Sequence, residues 1–158
     1  MRKIALVTGA TSGIGLATAE MLAASDYDII ITGRRENRLQ EASLRLEREF
    51  GVRVLPLSFD VRSYNEVDKY LGNLPDKWQH IDVLVNNAGL AVGLNRVDEG
   101  VVDDWERMID TNIKGVLYVT RVVRRDMNEF KFGNIINLCS IAGKEVYPNG
   151  NVYCATKH

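Results

Sequence analysis

The stretch Lys3–Gly15, KIALVTGATSGIG, constrains the fold more than any other, because it joins an apolar strand to a helix through a turn carrying three glycines. Ile4, Ala5, Leu6 and Val7 form a short continuous apolar run, which suits a strand covered on both faces in a parallel sheet. Gly9 breaks that run, and Ile14, Ala17, Met21 and Leu22 then recur at helical spacing. The turn therefore opens directly into a helix N-terminus, where unpaired N–H groups and the helix dipole favour an anion such as a pyrophosphate. In such turns one glycine makes the tight bend, one lets a phosphate approach the backbone and one lets the helix lie close to the strand. The spacing Gly9-x3-Gly13-x-Gly15 is a longer variant of the common dinucleotide fingerprint, and taken alone it also describes an ordinary glycine-rich strand-to-helix turn.

The rest of the chain repeats this alternation. Asp28–Thr32, DIIIT, reads as a second buried strand and completes a βαβ unit. Where a site selecting NAD usually places an acid for the ribose 2′-hydroxyl, this chain has Gly33-Arg34-Arg35. Two guanidiniums there suit a 2′-phosphate, although either could be a solvated residue at a helix entry. A charged helix over Asn37–Phe50 leads to a third strand, Val52–Ser58, whose end carries Asp60-Val61. Beyond a strand's carboxyl end Asp60 can reach an adenine edge; capping the helix from Ser63 to Asn73 is its competing role, open equally to Ser63. A fourth strand, Ile81–Asn86, runs into Asn86-Asn87-Ala88-Gly89, where the small pair leaves room for a ligand and the amides can satisfy backbone groups between splaying strands. The segment Leu90–Gly100 reads as a loop over the site.

Asp103, Asp104 and Glu106 then crowd the first turn of a helix expected to continue, with a kink, to about Asn128. Its core face is expected from Ile109, Ile113, Val116, Leu117 and Thr120, and the further apolar residues Tyr118, Val119, Val122 and Val123 widen it enough to suggest packing against another subunit. Asn112 in its middle needs polar partners. Gly133–Leu138 makes a fifth strand ending at Cys139-Ser140. After the turn Pro148-Asn149-Gly150, Asn151 is expected to cap a helix on which Tyr153 and Lys157, four apart, share a face.

Thr8-Gly9-Ala10-Thr11-Ser12-Gly13-Ile14-Gly15, Asn86-Asn87-Ala88-Gly89, Asn112, Ser140 and Tyr153-x3-Lys157 together resemble the short-chain dehydrogenase/reductase family over the whole chain. The resemblance implies an α/β fold, a doubly wound parallel sheet of Rossmann type, and hydride transfer between a secondary alcohol or ketone and a nicotinamide. It implies a catalytic set of Asn112, Ser140, Tyr153 and Lys157. Cofactor contacts are expected from Gly9, Thr11, Ser12, Gly13, Ile14 and Gly15, from Arg34, Arg35, Asp60 and Val61, from Asn87, Ala88 and Gly89, and again from Tyr153 and Lys157. With the two arginines the expected cofactor is NADP. A phenol with an ordinary pKa of about 10 is a poor base near neutrality, and an ammonium one helical turn away favours its ionised form. Lys157 is implied to bond the nicotinamide ribose, Ser140 the substrate oxygen, and Asn112 a water that links Lys157 to solvent. The segments VDDWERMIDTNIKGVLYVTR and YPNGNVYCATKH are similar to those of NADP-dependent 3-hydroxy acid dehydrogenases, which include enzymes acting on serine and allo-threonine; a 3-oxoacyl reductase and a nucleotide-binding fragment without turnover are the alternatives.

Composition agrees with a small-molecule enzyme and narrows the partners. Apolar residues at 46% and charged residues at 26% describe one ordinary globular domain over residues 1–158, and a formal charge of -1 gives no reason to expect nucleic acid or an anionic membrane. No apolar run approaches a membrane span and no signal-peptide core is present, so the expected compartment is the cytoplasm. Cys139, Cys154, His80 and His158 make no metal set. Family members carry further strands and helix after Tyr-x3-Lys, and a two-turn last helix and a fifth strand left as a bare apolar edge are marginal on their own. The 158 residues are therefore expected to be the N-terminal part of a longer chain that assembles as a homo-oligomer, a tetramer or a dimer.

Overall fold

The computed structural model describes residues 2–158. Five strands, β1 (Ile4–Val7), β2 (Asp28–Gly33), β3 (Val54–Ser58), β4 (Val83–Asn86) and β5 (Asn134–Asn137), form one parallel sheet in the order β3-β2-β1-β4-β5. Leu6 pairs in register with Ile30 on one side and with Leu84 on the other. The chain winds outward from β1 to β3, then crosses back to place β4 beside β1. The carboxyl ends of β1 and β4 therefore splay at the point where ligands bind in open α/β sheets. Pro56 is tolerated because β3 is an edge strand, where a missing donor can face outward.

Helices α1 (Gly13–Ala24) and α2 (Glu36–Phe50) cover one face of the sheet, burying Ala19, Ala23, Leu39 and Leu46 against Val7, Ile29 and Ile31. The other face packs Leu6, Ile30 and Leu84 against Val67 and Leu71 of α3 (Tyr64–Leu71) and Val119 and Val123 of α5 (Val116–Phe130). Each fully buried aliphatic side chain contributes about 1.5–3 kcal/mol, so strands with apolar residues on both faces are stable only in this sandwiched position.

Several local expectations change. In α1 the side facing the sheet is Gly15, Ala19 and Ala23, whereas Ile14 and Met21 are 63% and 70% exposed. The helix lies too close to the strand for larger residues: a Cβ on Gly15 would stand 2.5 Å from the Gly9 carbonyl oxygen. The long helix is interrupted, running as α4 (Val102–Ile109), a π-helical turn (Asp110–Gly115) and α5. That turn rotates the buried side to Met108, Asn112, Gly115, Val119, Val122, Val123 and Met127, and it leaves Ile109, Ile113 and Leu117 exposed instead of inward. Ser63, not Asp60, caps α3, accepting from the Glu66 N–H at 3.3 Å, while the Glu66 carboxylate accepts from the Asp60 N–H at 2.8 Å. The last helix, α6 (Asn151–Lys157), is preceded by Gly150 as its N-cap; Asn151 is already helical and donates to the Asn95 carbonyl at 2.8 Å.

Candidate active site

The glycine turn leaves β1 with Gly9 at φ +67° and Gly13 at φ +57°, conformations that favour glycine. Gly9 lies against the backbone of Ala88, where a Cβ would stand 2.9 Å from the Ala88 Cα. Two side chains hold this approach. The buried Thr8 hydroxyl accepts from the N–H groups of Asn87 and Ala88, both at 3.0 Å, and the Asn87 amide donates to the carbonyls of Thr8 (2.8 Å) and Gly9 (3.2 Å). Asn86 points the other way, bridging Thr120 and Asn137 at 2.9 Å each. The asparagine pair thus satisfies polar groups on both sides of the splayed strands.

Above the turn lies a cleft of about 580 Å³, within the range of small-molecule sites. Its glycine end is lined by Gly9, Thr11, Ser12, Ile14 and Gly15, with Asn87, Ala88 and Gly89 opposite. Gly13 and Asn112 alone among the expected site residues do not line it. One flank carries Arg34, Arg35, Asp60 and Val61. The Arg35 guanidinium donates to the Thr11 hydroxyl and, at 2.8 Å, to the Ser12 hydroxyl, so it reaches across to the glycine turn. Asp60 is gripped by Arg62 at 2.6 Å and approached by Arg34 at 3.9 Å. Burial pushes its carboxyl up, but the Arg62 hydrogen bonds and the two positive charges outweigh that and hold it below the ordinary carboxylate range. It is an anionic acceptor in a cationic flank.

The opposite end of the cleft brings together Ser140, Tyr153 and Lys157. Ser140 follows β5 in extended conformation and its hydroxyl accepts from the Ala142 N–H at 3.2 Å. The Lys157 ammonium donates to the Leu138 carbonyl at 3.1 Å, and a Cβ on Gly89 would stand 3.5 Å from it. Asn112 is buried beneath, on the π turn. Its carboxamide accepts from the Leu90 N–H and donates to the Leu90 carbonyl, both at 2.8 Å, and donates to the Thr156 hydroxyl at 2.9 Å. These bonds occupy both donors of the amide. Cys139, exposed, also lines the cleft, whereas Cys154 is buried; both are free thiols. Among the described residues no group of three or more metal-ligating side chains lies together, and no helix is long and apolar enough to cross a membrane.

Gly33, Phe59, Leu90, Ala91, Thr111 and Leu138 also line the cleft without having been expected as site residues; Leu90 and Ala91 belong to the segment read as a loop over the site, and Leu138 ends the expected fifth strand. Gly33 had a legible signal, since it directly precedes the two arginines, and the space it leaves is filled by the Thr11 methyl, 2.7 Å from where a Cβ would stand. Phe59 and Thr111 directly precede the expected Asp60 and Asn112, and the fold's crossovers bring both into the lining.

The short chain dehydrogenase family model matches residues 3–158. The chain belongs to the short chain dehydrogenase family. It is 48% identical over 153 residues to a probable NADP-dependent dehydrogenase of Haemophilus influenzae, covering 97% of this chain and 59% of that protein. It is also 48% identical over 154 residues to the NADP-dependent 3-hydroxy acid dehydrogenase YdfG of Salmonella typhi, covering 98% of this chain and 60% of the relative. Among solved structures, the closed form of a serine dehydrogenase complexed with NADP+ superposes with a TM-score of 0.90 at 46% identity, over 98% of this chain and 60% of that one. The chain spans about 60% of the length of the curated relatives it matches.

Proposed function

We propose that this chain is the dinucleotide-binding and catalytic portion of an NADP-dependent dehydrogenase acting on a 3-hydroxy acid such as serine or allo-threonine. The observation that carries the reading is that Ser140, Tyr153 and Lys157 line the same cleft as the glycine turn and the Arg34-Arg35 pair. The fit to NADP rests on shape and charge: glycine backbone at a helix N-terminus for the pyrophosphate, an anionic Asp60 for the adenine amino group, and the two guanidiniums for the 2′-phosphate. Bound NADP supplies a nicotinamide ring that takes up or returns hydride. The chain's own residues handle the proton. Ser140 donates a hydrogen bond to the substrate oxygen, the Tyr153 oxygen acts as a phenolate stabilised by the Lys157 ammonium and becomes the neutral phenol when it takes the substrate's hydroxyl proton during oxidation, and Lys157 also holds the ribose. Asn112 acts from beneath, by fixing the Leu90 backbone and α6.

The exposed stripe Ile109, Ile113 and Leu117 supports self-association, and we infer a cytoplasmic homo-oligomer, a tetramer in the complete enzyme. Incubating NADP with a panel of 3-hydroxy acids, using both these 158 residues and a chain extended to the length of its relatives, tests the activity through the absorbance of reduced cofactor. Reduction by the extended chain is expected. Tight NADP binding with no turnover by either protein would make this a nucleotide-binding module instead.

A further inference from the structure

Helix α6 has seven residues, too few to hold a helical setting without tertiary support. Three bonds supply that support. At its start Asn151 donates to the Asn95 carbonyl, and at its end the Lys157 ammonium donates to the Leu138 carbonyl. The third is made by Thr156, half-buried between the two residues that carry the proton chemistry. Its hydroxyl donates to the Tyr153 carbonyl at 2.8 Å, three residues back, and accepts the Asn112 amide at 2.9 Å. Asn112 is at the same time bonded in both directions to Leu90, so one unbroken chain of hydrogen bonds runs from the loop beside Gly89 through the π turn to the backbone of Tyr153. On the far side α6 abuts the short turn Ile141–Gly143 that Ser140 caps, where a Cβ on Gly143 would stand 2.2 Å from the Lys157 carbonyl oxygen. The helix is held between the Asn112 amide and the Ser140 turn, so its rotation sets where Tyr153 and Lys157 stand in the cleft they share with Ser140.

We propose that Thr156 is a positioning residue for the reaction: its hydroxyl sets the rotation of α6 and thereby the approach of Tyr153 and Lys157 to Ser140. This rests on the dehydrogenase reading above. A hydroxyl is required because it must donate and accept at once, and an isosteric methyl would leave a buried Asn112 N–H unpaired.

The test compares Thr156→Val and Thr156→Ser in the chain extended to the length of its relatives. Valine is expected to lower kcat about ten- to a hundredfold, the range for a misplaced catalytic group, with thermal stability and substrate KM close to wild type and NADP affinity lowered by less than kcat, through the ribose contact of Lys157. Serine is expected to restore kcat. Hydrogen exchange of the NADP complex, measured by mass spectrometry over residues 151–157, is expected to quicken with valine and not with serine. Wild-type kcat and wild-type exchange in Thr156→Val would overturn the proposal, as would a parallel loss of kcat, NADP affinity and thermal stability, the pattern of a residue that only supports the fold. A wild-type protein without turnover but with the expected exchange pattern would support the anchoring of α6 and count against the dehydrogenase reading alone.

Discussion

Thr8 offers nothing to a ligand, yet its hydroxyl collects two backbone N–H groups where β1 and β4 part. Thr8→Val keeps the shape and strands both donors; it is expected to lower unfolding free energy by about 1–3 kcal/mol, read from urea denaturation, with Thr8→Ser close to wild type. At the cofactor flank, removing Arg34 and Arg35 together is expected to weaken NADP binding at least about tenfold and to leave NAD binding nearly unchanged, because each charged hydrogen bond to a phosphate contributes about 1.5–3 kcal/mol. Equal losses for both nucleotides would remove the 2′-phosphate assignment. Tyr153→Phe is expected to cost about 10²–10⁴ in kcat while NADP still binds. Away from the site, Asp28 is buried and bonded by Arg53 at 2.6 Å. Burial raises its pKa, and the bonds from the Arg53 side chain and backbone outweigh that, leaving it lowered. A folded value below the unfolded value of about 3.9 gives stability that is present above that pH and lost as pH falls through the folded value. Asp28→Asn should therefore cost about 1–3 kcal/mol at neutral pH, and the cost should shrink once pH falls below about 3.9 and through the folded value, with some of the pair's effect screened at the partly exposed Arg53.

Among the elements, the helices show where reading a periodic pattern fails. Apolar residues at helical spacing marked α1 correctly as a helix, but its buried side is made of glycine and alanine, because the strand runs too close for anything larger. Gly15→Ala is expected to force apart the Gly9 carbonyl and the Asn87 amide, costing about 1–3 kcal/mol and most of the NADP affinity together, as measured by denaturation and by titration. In α4 and α5 the buried series passes through Asn112 and Gly115, which no hydrophobic count selects, and the π turn shifts the phase between the two halves. The polar residue that broke the apolar pattern is the one that ties Leu90 to Thr156. The strands were legible to within about two residues at their ends: β1, β2 and β4 are buried on both faces, so their runs are apolar and need no phase, while β3 and β5 lie at the sheet's edges and are more exposed.

For the molecule as a whole, the sheet ends at β5, whose Ile135 and Ile136 are 37% and 51% exposed on an unpaired edge. Such an edge templates further pairing, so these 158 residues are expected to self-associate as the protein is concentrated, visible by light scattering. Ile136→Lys should suppress that association, since a charge on an edge strand opposes stacking; unchanged scattering would move the cause to the exposed Ile109, Ile113 and Leu117 stripe.

Strand identity, the parallel winding and the glycine turn follow from local chemistry: continuous apolar runs, positive-φ glycines and a helix start are properties of neighbours in the chain. The choice of arginine over an acid after β2 is equally local, and it carries the cofactor preference we propose. The meeting of Asn112, Leu90 and Thr156 has no such signature. Those residues come from a loop, a π turn and a short helix, and only the crossover that sets β4 beside β1, with α5 packed over them, brings one amide within hydrogen-bond reach of all its partners.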